Sequence, residues 1–204
     1  MEKYLLILIA LLSTSSVKAE NKVKKYIIET AKSEQTIQHF GASDAWSMRF
    51  LGLWPEDQQN KIADWLFSMD SDATGKPKGI GLSIWRFNLG AGSLEQGDNS
   101  QINTNTRTDC FLQSDKSYDW NKQEGQRRFL KLAKDRGVCH FLAFMNSVPV
   151  YYTKNGLATN TGRGASANIK DQCYGDVARF VAKSLKGIEQ HDGIHFDYLS
   201  PVNE

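Results

Sequence analysis

The chain has 204 residues, 40% of them hydrophobic and 24% charged, which suits one ordinary domain with a sizeable core. With 25 basic against 23 acidic residues the net charge is +2, a balance that gives no electrostatic reason to bind nucleic acid or an anionic membrane surface. Three cysteines without CxxC spacing and four histidines without ligand spacing point to no metal centre, and no cofactor is expected.

Lys3 precedes an apolar run from Leu5 to Leu12, then Ser and Thr residues, then Val17-Lys18-Ala19 with small or apolar residues at the cleavage offsets. This reads as a secretory signal peptide over 1–19, cut after Ala19, whose apolar core is too short to span a bilayer. Its removal takes away Glu2, Lys3 and Lys18 and leaves a net charge of +1. The expectation is a secreted or periplasmic protein with no membrane anchor.

Residues 23–30 are β-prone and predict an early strand, and Thr36 to Ala42 predicts a second, ending at Ser43-Asp44-Ala45-Trp46. Pro55, Glu56 and Asp57 open a helix over about 56–69 whose apolar stripe is Ile62, Trp65, Leu66 and Met69. Ile80 to Phe87 is a mostly apolar strand, and a long polar stretch from Asn88 to Asp119 follows it. A helix over about 122–136 buries Phe129, Leu130 and Ala133 and stops at Gly137; the basic pair Arg127-Arg128 reads as its solvated face. Cys139 to Met145 is a third apolar strand, with Cys139 as a buried thiol, and a second polar loop runs to about Ser166. The next helix carries Tyr174, Val177, Ala178, Val181 and Leu185 on one face and ends at Gly187; a strand over 194–202 closes the series. Cys110 and Cys173 lie near loops, and the sequence leaves open whether they pair.

Apolar strands alternating with amphipathic helices predict an α/β fold with a parallel sheet covered by helices. Loops after the strands are long and polar, and helix-to-strand connections are shorter, as in a (β/α)8 TIM barrel whose active site lies at the C-terminal strand ends. Four barrel strands are in view, so the expectation is the N-terminal half of such a barrel, over 36–204. A doubly wound sheet would show a glycine-rich phosphate turn opening a helix, and Gly79-Ile80-Gly81 enters a strand instead.

The predicted strand tips gather Asp44 and Trp46, Arg86 and Asn88, Asn146, then Asn203 and Glu204. An indole offers a flat apolar face to a pyranose ring. Asp, Asn and Arg hold hydroxyls, and a glutamate can protonate a glycosidic oxygen. Each has a plainer reading. Asp44 can cap a turn, Arg86 can be an internal ion-pair partner, Asn88 and Asn146 can hold loop backbone, and Trp85 reads as a core residue. His140 and His195 read as strand-face residues.

Four blocks, Gln38 to Trp46, Gly81 to Ser93, Phe144 to Pro149 and Leu199 to Glu204, resemble glycoside hydrolase family 30, and within it the endo-β-1,6-galactanase-like branch. The resemblance implies a (β/α)8 barrel with a side β-structure, to which residues 20–35 would add the N-terminal strand. It also implies a retaining hydrolase of β-linked polysaccharide or oligosaccharide. In that family's pattern Glu204 matches the catalytic acid/base and Asn203 its neighbouring sugar-binding amide. Asp44, Trp46 and Arg86 match substrate contacts of the first two strands, and Asn146 falls in the third-strand block. His39 and Val148 depart from the pattern beside expected subsites. The nucleophile is expected beyond residue 204, which makes the chain alone inactive. The alternatives are a non-catalytic carbohydrate-binding protein or relic, and a family-30 hydrolase of xylan or a β-glucosyl linkage.

Overall fold

The computed structural model of the protein describes residues 24–161 and 167–203. The expected signal peptide over 1–19 and the expected acid/base, Glu204, lie outside the described residues. The chain divides into two compact units, 1–36 and 37–204. Of the first, residues 24–36 form no strand, contrary to the expectation for 23–30. Tyr26, Ile27 and Ile28 are largely exposed. A β-prone segment becomes a strand only when a partner takes its backbone hydrogen bonds, and among the described residues no ladder pairs with 24–36.

The second unit is built on four parallel strands in the order β1-β2-β3-β4: β1 (Gly41–Ser43), β2 (Ile84–Asn88), β3 (His140–Phe144) and β4 (Tyr198–Ser200). Consecutive strands are neighbours throughout, with helices α1 (Glu56–Phe67), α2 (Glu124–Asp135) and α3 (Tyr174–Asp192) in the crossovers. This is the expected α/β arrangement. The strands are shorter than the apolar runs, because each ladder extends only as far as its register with the neighbour: Gly41 faces Ile84, and Leu142 faces Tyr198.

Trp85, Phe87, Phe141 and Ala143 alternate onto the helix side of the sheet and are buried. Phe67 of α1 meets Trp85 edge-on at 5.0 Å between centroids, so Trp85 is the core residue its position predicts. The buried stripe of α1 is Gln59, Ala63 and Phe67, and Trp65 and Met69 point to solvent, one position off the expected face. Gln59 explains the shift. Its amide donates to the carbonyls of Gly52 (3.1 Å) and Trp54 (2.6 Å), and its oxygen accepts from Arg128 Nε at 2.9 Å.

Three further expectations change. The Arg127-Arg128 pair is not a solvated face. Arg127 makes two bonds to Asp192 (2.6 and 2.9 Å), and Arg128 reaches Gln59 and Glu56, so both tie α2 to other helices. Helix α3 runs on to Asp192 and is capped by Gly193 at φ 68°. Gly187 lies buried inside it, where the chain must approach the indole of Trp120. Cys110 and Cys173 are buried and free, while Cys139, read as buried, is exposed. It precedes the β3 ladder and so lies outside the helix-covered core.

Candidate active site

The described members of the expected set lie at one end of the sheet: Asp44 and Trp46 follow β1, Arg86 and Asn88 are among the last three residues of β2, Asn146 follows β3 and Asn203 follows β4. Backbone bonds carry the ladder up to these exits: Leu89 N–H donates to Phe144 O (2.8 Å), and Met145 N–H to Ser200 O (3.1 Å). Trp46, Asn88 and Asn146 border one small hollow together with Ser147. Trp46 is half-buried and Asn146 exposed, whereas Asn88 is buried, at 1% exposure. Asn88 Oδ1 accepts the backbone N–H of Asn146 at 3.4 Å, which links the exits of β2 and β3. Asn203 is exposed in the segment after β4.

Asp44 occupies a different place. It is 1% exposed, and both carboxylate oxygens are taken: Oδ1 accepts from the Asn88 N–H at 2.9 Å and Oδ2 from Gln126 Nε2 at 2.8 Å. Here it orients the exit of β2 from below. Burial raises its carboxyl from 3.8 to about 7, against the opposing pull of Gln126, the Asn88 N–H and the Arg86 charge. Truncation to Ala would leave two buried donors unpaired, at roughly 1–3 kcal/mol for each.

Arg86 is exposed, with its guanidinium 4.2 Å from the centre of the Phe144 ring. Cation–π stacking holds the planar group against the sheet face without consuming its donors. Its charge also acts on Asp44, so the internal ion-pair reading takes the form of a through-space influence on a protonation equilibrium.

Two residues of this site are absent from the expected set. Gln123 and Gln126 are buried at the start of α2, and each donates from its amide to the Asn88 carbonyl (2.8 and 3.1 Å). Gln123 Nε2 also donates to Gln126 Oε1, and its own oxygen accepts the Gly90 N–H. Gln123 adopts φ 55°, a left-handed conformation that costs an L-residue roughly 1–3 kcal/mol and is held by these bonds and by Asp109, which accepts its N–H at 2.7 Å. Two glutamines three apart, continuing the stripe of Phe129, Leu130 and Ala133, were the available sequence signal.

The strand-exit hollow, its indole and its paired amides define a polar site at the end of a parallel α/β sheet. The chain belongs to O-glycosyl hydrolase family 30, whose model matches residues 23–204. It is 27% identical over 192 residues to an endo-β-1,6-galactanase of Hypocrea rufa, covering 87% of this chain and 39% of that protein. A conserved exported protein from Bacteroides fragilis is 39% identical with a TM-score of 0.79, over 87% of this chain and 36% of that one. The catalytic domain of a family-30 xylanase C from Talaromyces cellulolyticus shares the fold, at 22% identity and a TM-score of 0.56, over 85% of this chain and 38% of that one. The chain thus spans under two fifths of the length of these relatives.

Proposed function

We propose that these residues form the first four β/α units of a (β/α)8 barrel and carry the acid/base side of a retaining glycoside hydrolase, with β-1,6-linked galactan as its substrate. The observation that carries this reading is the convergence of Trp46, Asn88 and Asn146 on one hollow where the strands end. An apolar ring face beside amides suits a neutral, hydroxyl-rich ligand. The likeness to the Hypocrea rufa enzyme supports galactan over other β-linked polymers. In this reading the protein is exported by its leader, residues 1–19.

Glu204 follows β4 by four residues. In the proposed double displacement it protonates the leaving glycosidic oxygen while a carboxylate from a later strand attacks the anomeric carbon. It then takes a proton from the water that releases the sugar. The two carboxyl groups would stand about 5 Å apart, and Asn203 would hold the hydroxyl next to the reacting carbon. Because Glu204 must be protonated in the first step and ionised in the second, activity should peak at acidic to neutral pH. Residues 1–204 alone lack the attacking group in this scheme and are expected to be inactive.

The test is the intact protein with Glu204→Ala, assayed on β-1,6-galactan, xylan, a β-glucan and an aryl glycoside with an activated leaving group. Loss of roughly 10²–10⁴-fold on the polymer, with much smaller loss in the glycosylation step of the aryl glycoside, is the expected result. Equal turnover by wild type and variant on the polymer would remove the acid/base assignment. Preference for xylan or β-glucan would redirect the substrate, and binding without turnover of any glycan by the wild type would favour a lectin-like protein.

A further inference from the structure

At the opposite end of the sheet, where the strands begin, three side chains with metal-ligating atoms meet. His39 precedes β1, Cys139 precedes β3 and His140 opens it. One ligand atom from each lies within 4.8 Å of the other two. In sequence His39 stands 100 residues before the adjacent pair Cys139-His140, and no ligand spacing is visible. The parallel register brings them together, since Gly41 faces Ile84 and Ile84 faces His140 across three adjacent strands.

We propose that His39, Cys139 and His140 form a binding site for zinc, or a divalent metal of similar softness, with Asp197 as the carboxylate that supports His140. Two imidazoles and a thiolate are borderline-soft donors, which favours zinc over magnesium or calcium. With zinc–nitrogen bonds of about 2.0–2.1 Å and a zinc–sulfur bond of about 2.3 Å, tetrahedral donors stand roughly 3.3–3.6 Å apart. From separations of up to 4.8 Å the three ligand atoms need to close by at most roughly 1.2–1.5 Å.

What they now touch yields easily. His39 Nδ1 is 3.3 Å from Ser83 Oγ, and the Cys139 thiol reaches the Ser83 carbonyl at 3.7 Å, both long contacts. The His39 and His140 rings are 4.3 Å apart between centroids. His140 Nδ1 is sealed from solvent and makes no aligned hydrogen bond; its polar neighbour is Asp197 Oδ1 at 3.3 Å.

Asp197 is itself fixed, because its Oδ2 accepts the Phe141 N–H at 3.0 Å and its own N–H donates to Phe141 O at 2.9 Å. A carboxylate set beside a metal-binding histidine orients the ring and raises its basicity. It also balances charge: one thiolate and one carboxylate neutralise a divalent ion. The bound ion would clip the approach to β1 onto the start of β3, spanning β2.

The test uses the intact protein, stripped of metal, titrated with cobalt(II) as a spectroscopic probe and then with zinc(II) against a chromophoric chelator. One cobalt per chain is expected, with a thiolate-to-cobalt charge-transfer band and the intense visible bands of a tetrahedral site, displaced by zinc. Cys139→Ser, at an exposed position, should abolish the charge-transfer band while far-ultraviolet circular dichroism stays unchanged. Asp197→Asn should weaken zinc binding roughly 10–100-fold, and Cys173→Ser should leave the band in place. Absence of stoichiometric binding at micromolar zinc, or a charge-transfer band that survives Cys139→Ser, would overturn the proposal.

Discussion

Gly187 presses its backbone against the ring of Trp120 so closely that a Cβ on it would lie 1.9 Å from Cη2. Glycine in a helix interior ordinarily costs roughly 0.5–1 kcal/mol relative to alanine, so Gly→Ala normally stabilises. Here the sign reverses. Gly187→Ala should destabilise by about 1–3 kcal/mol through overpacking, and Gly187→Ala with Trp120→Leu should recover part of it. Chemical denaturation of the two variants decides this, and a Gly187→Ala protein as stable as wild type would contradict the close packing.

Asp44 gives a pH prediction whose sign is opposite to that of an ordinary ion-paired carboxylate. Its folded value, about 7, lies above the ordinary carboxylate value of 3.8. Between those limits the folded protein holds a proton that the unfolded chain has released. The contribution therefore favours folding most below the lower value, weakens as pH rises and levels off above about 7. The change is at most ~4 kcal/mol. Asp44→Asn should remove this slope, so the stability difference between variant and wild type should vary with pH between 3.8 and about 7. Parallel stability curves would show that Asp44 does not titrate in this window.

Asp192 behaves the other way. Burial pushes its carboxyl up, but the hydrogen bonds of Arg127 and Lys131 and their charges outweigh that and hold it below 3.8. Its stabilisation is present above the unfolded value and is lost as pH falls through the lower folded value. Its side chain is fully covered and Arg127 nearly so, so Asp192→Ala should cost roughly 3–5 kcal/mol by stranding the cation. Replacing both Asp192 and Arg127 with apolar residues should cost much less. A double variant as unstable as the single one would refute the ion-pair account.

Trp46 is the aromatic member of the strand-exit hollow. Under the proposed function, Trp46→Ala in the intact protein should raise KM for an oligosaccharide roughly tenfold, equivalent to ~1.4 kcal/mol of lost stacking and burial. Isothermal titration with a non-hydrolysed oligosaccharide checks the same quantity as Kd. Unchanged affinity would place the sugar elsewhere.

The alternation of four strands with three helices was legible because apolar runs and helical stripes differ in period. That Trp46, Asn88 and Asn146 lie close together was legible because each stands at, or within three residues of, the end of a strand. What was not legible depends on neighbours in space. The strands end where their ladders end, and Gly187 looked like a helix terminus because a glycine needed for close approach and one needed for positive φ are the same residue type. Gln123 and Gln126 were not singled out, because their place on the buried stripe of α2 does not say that they bond a strand-end carbonyl. His39, Cys139 and His140 meet only through parallel pairing across β2, a relation that spacing along the chain does not carry.

The glutamine pair sets a division of labour at the strand exits. Asp44, Gln123 and Gln126 fasten the exit of β2 from beneath, while Trp46, Asn146 and Ser147 border the hollow above it. Side chains of the upper tier can change without breaking a bond of the lower one. A scaffold arranged like this lets the side chains that border the hollow vary while the backbone that presents them keeps its shape.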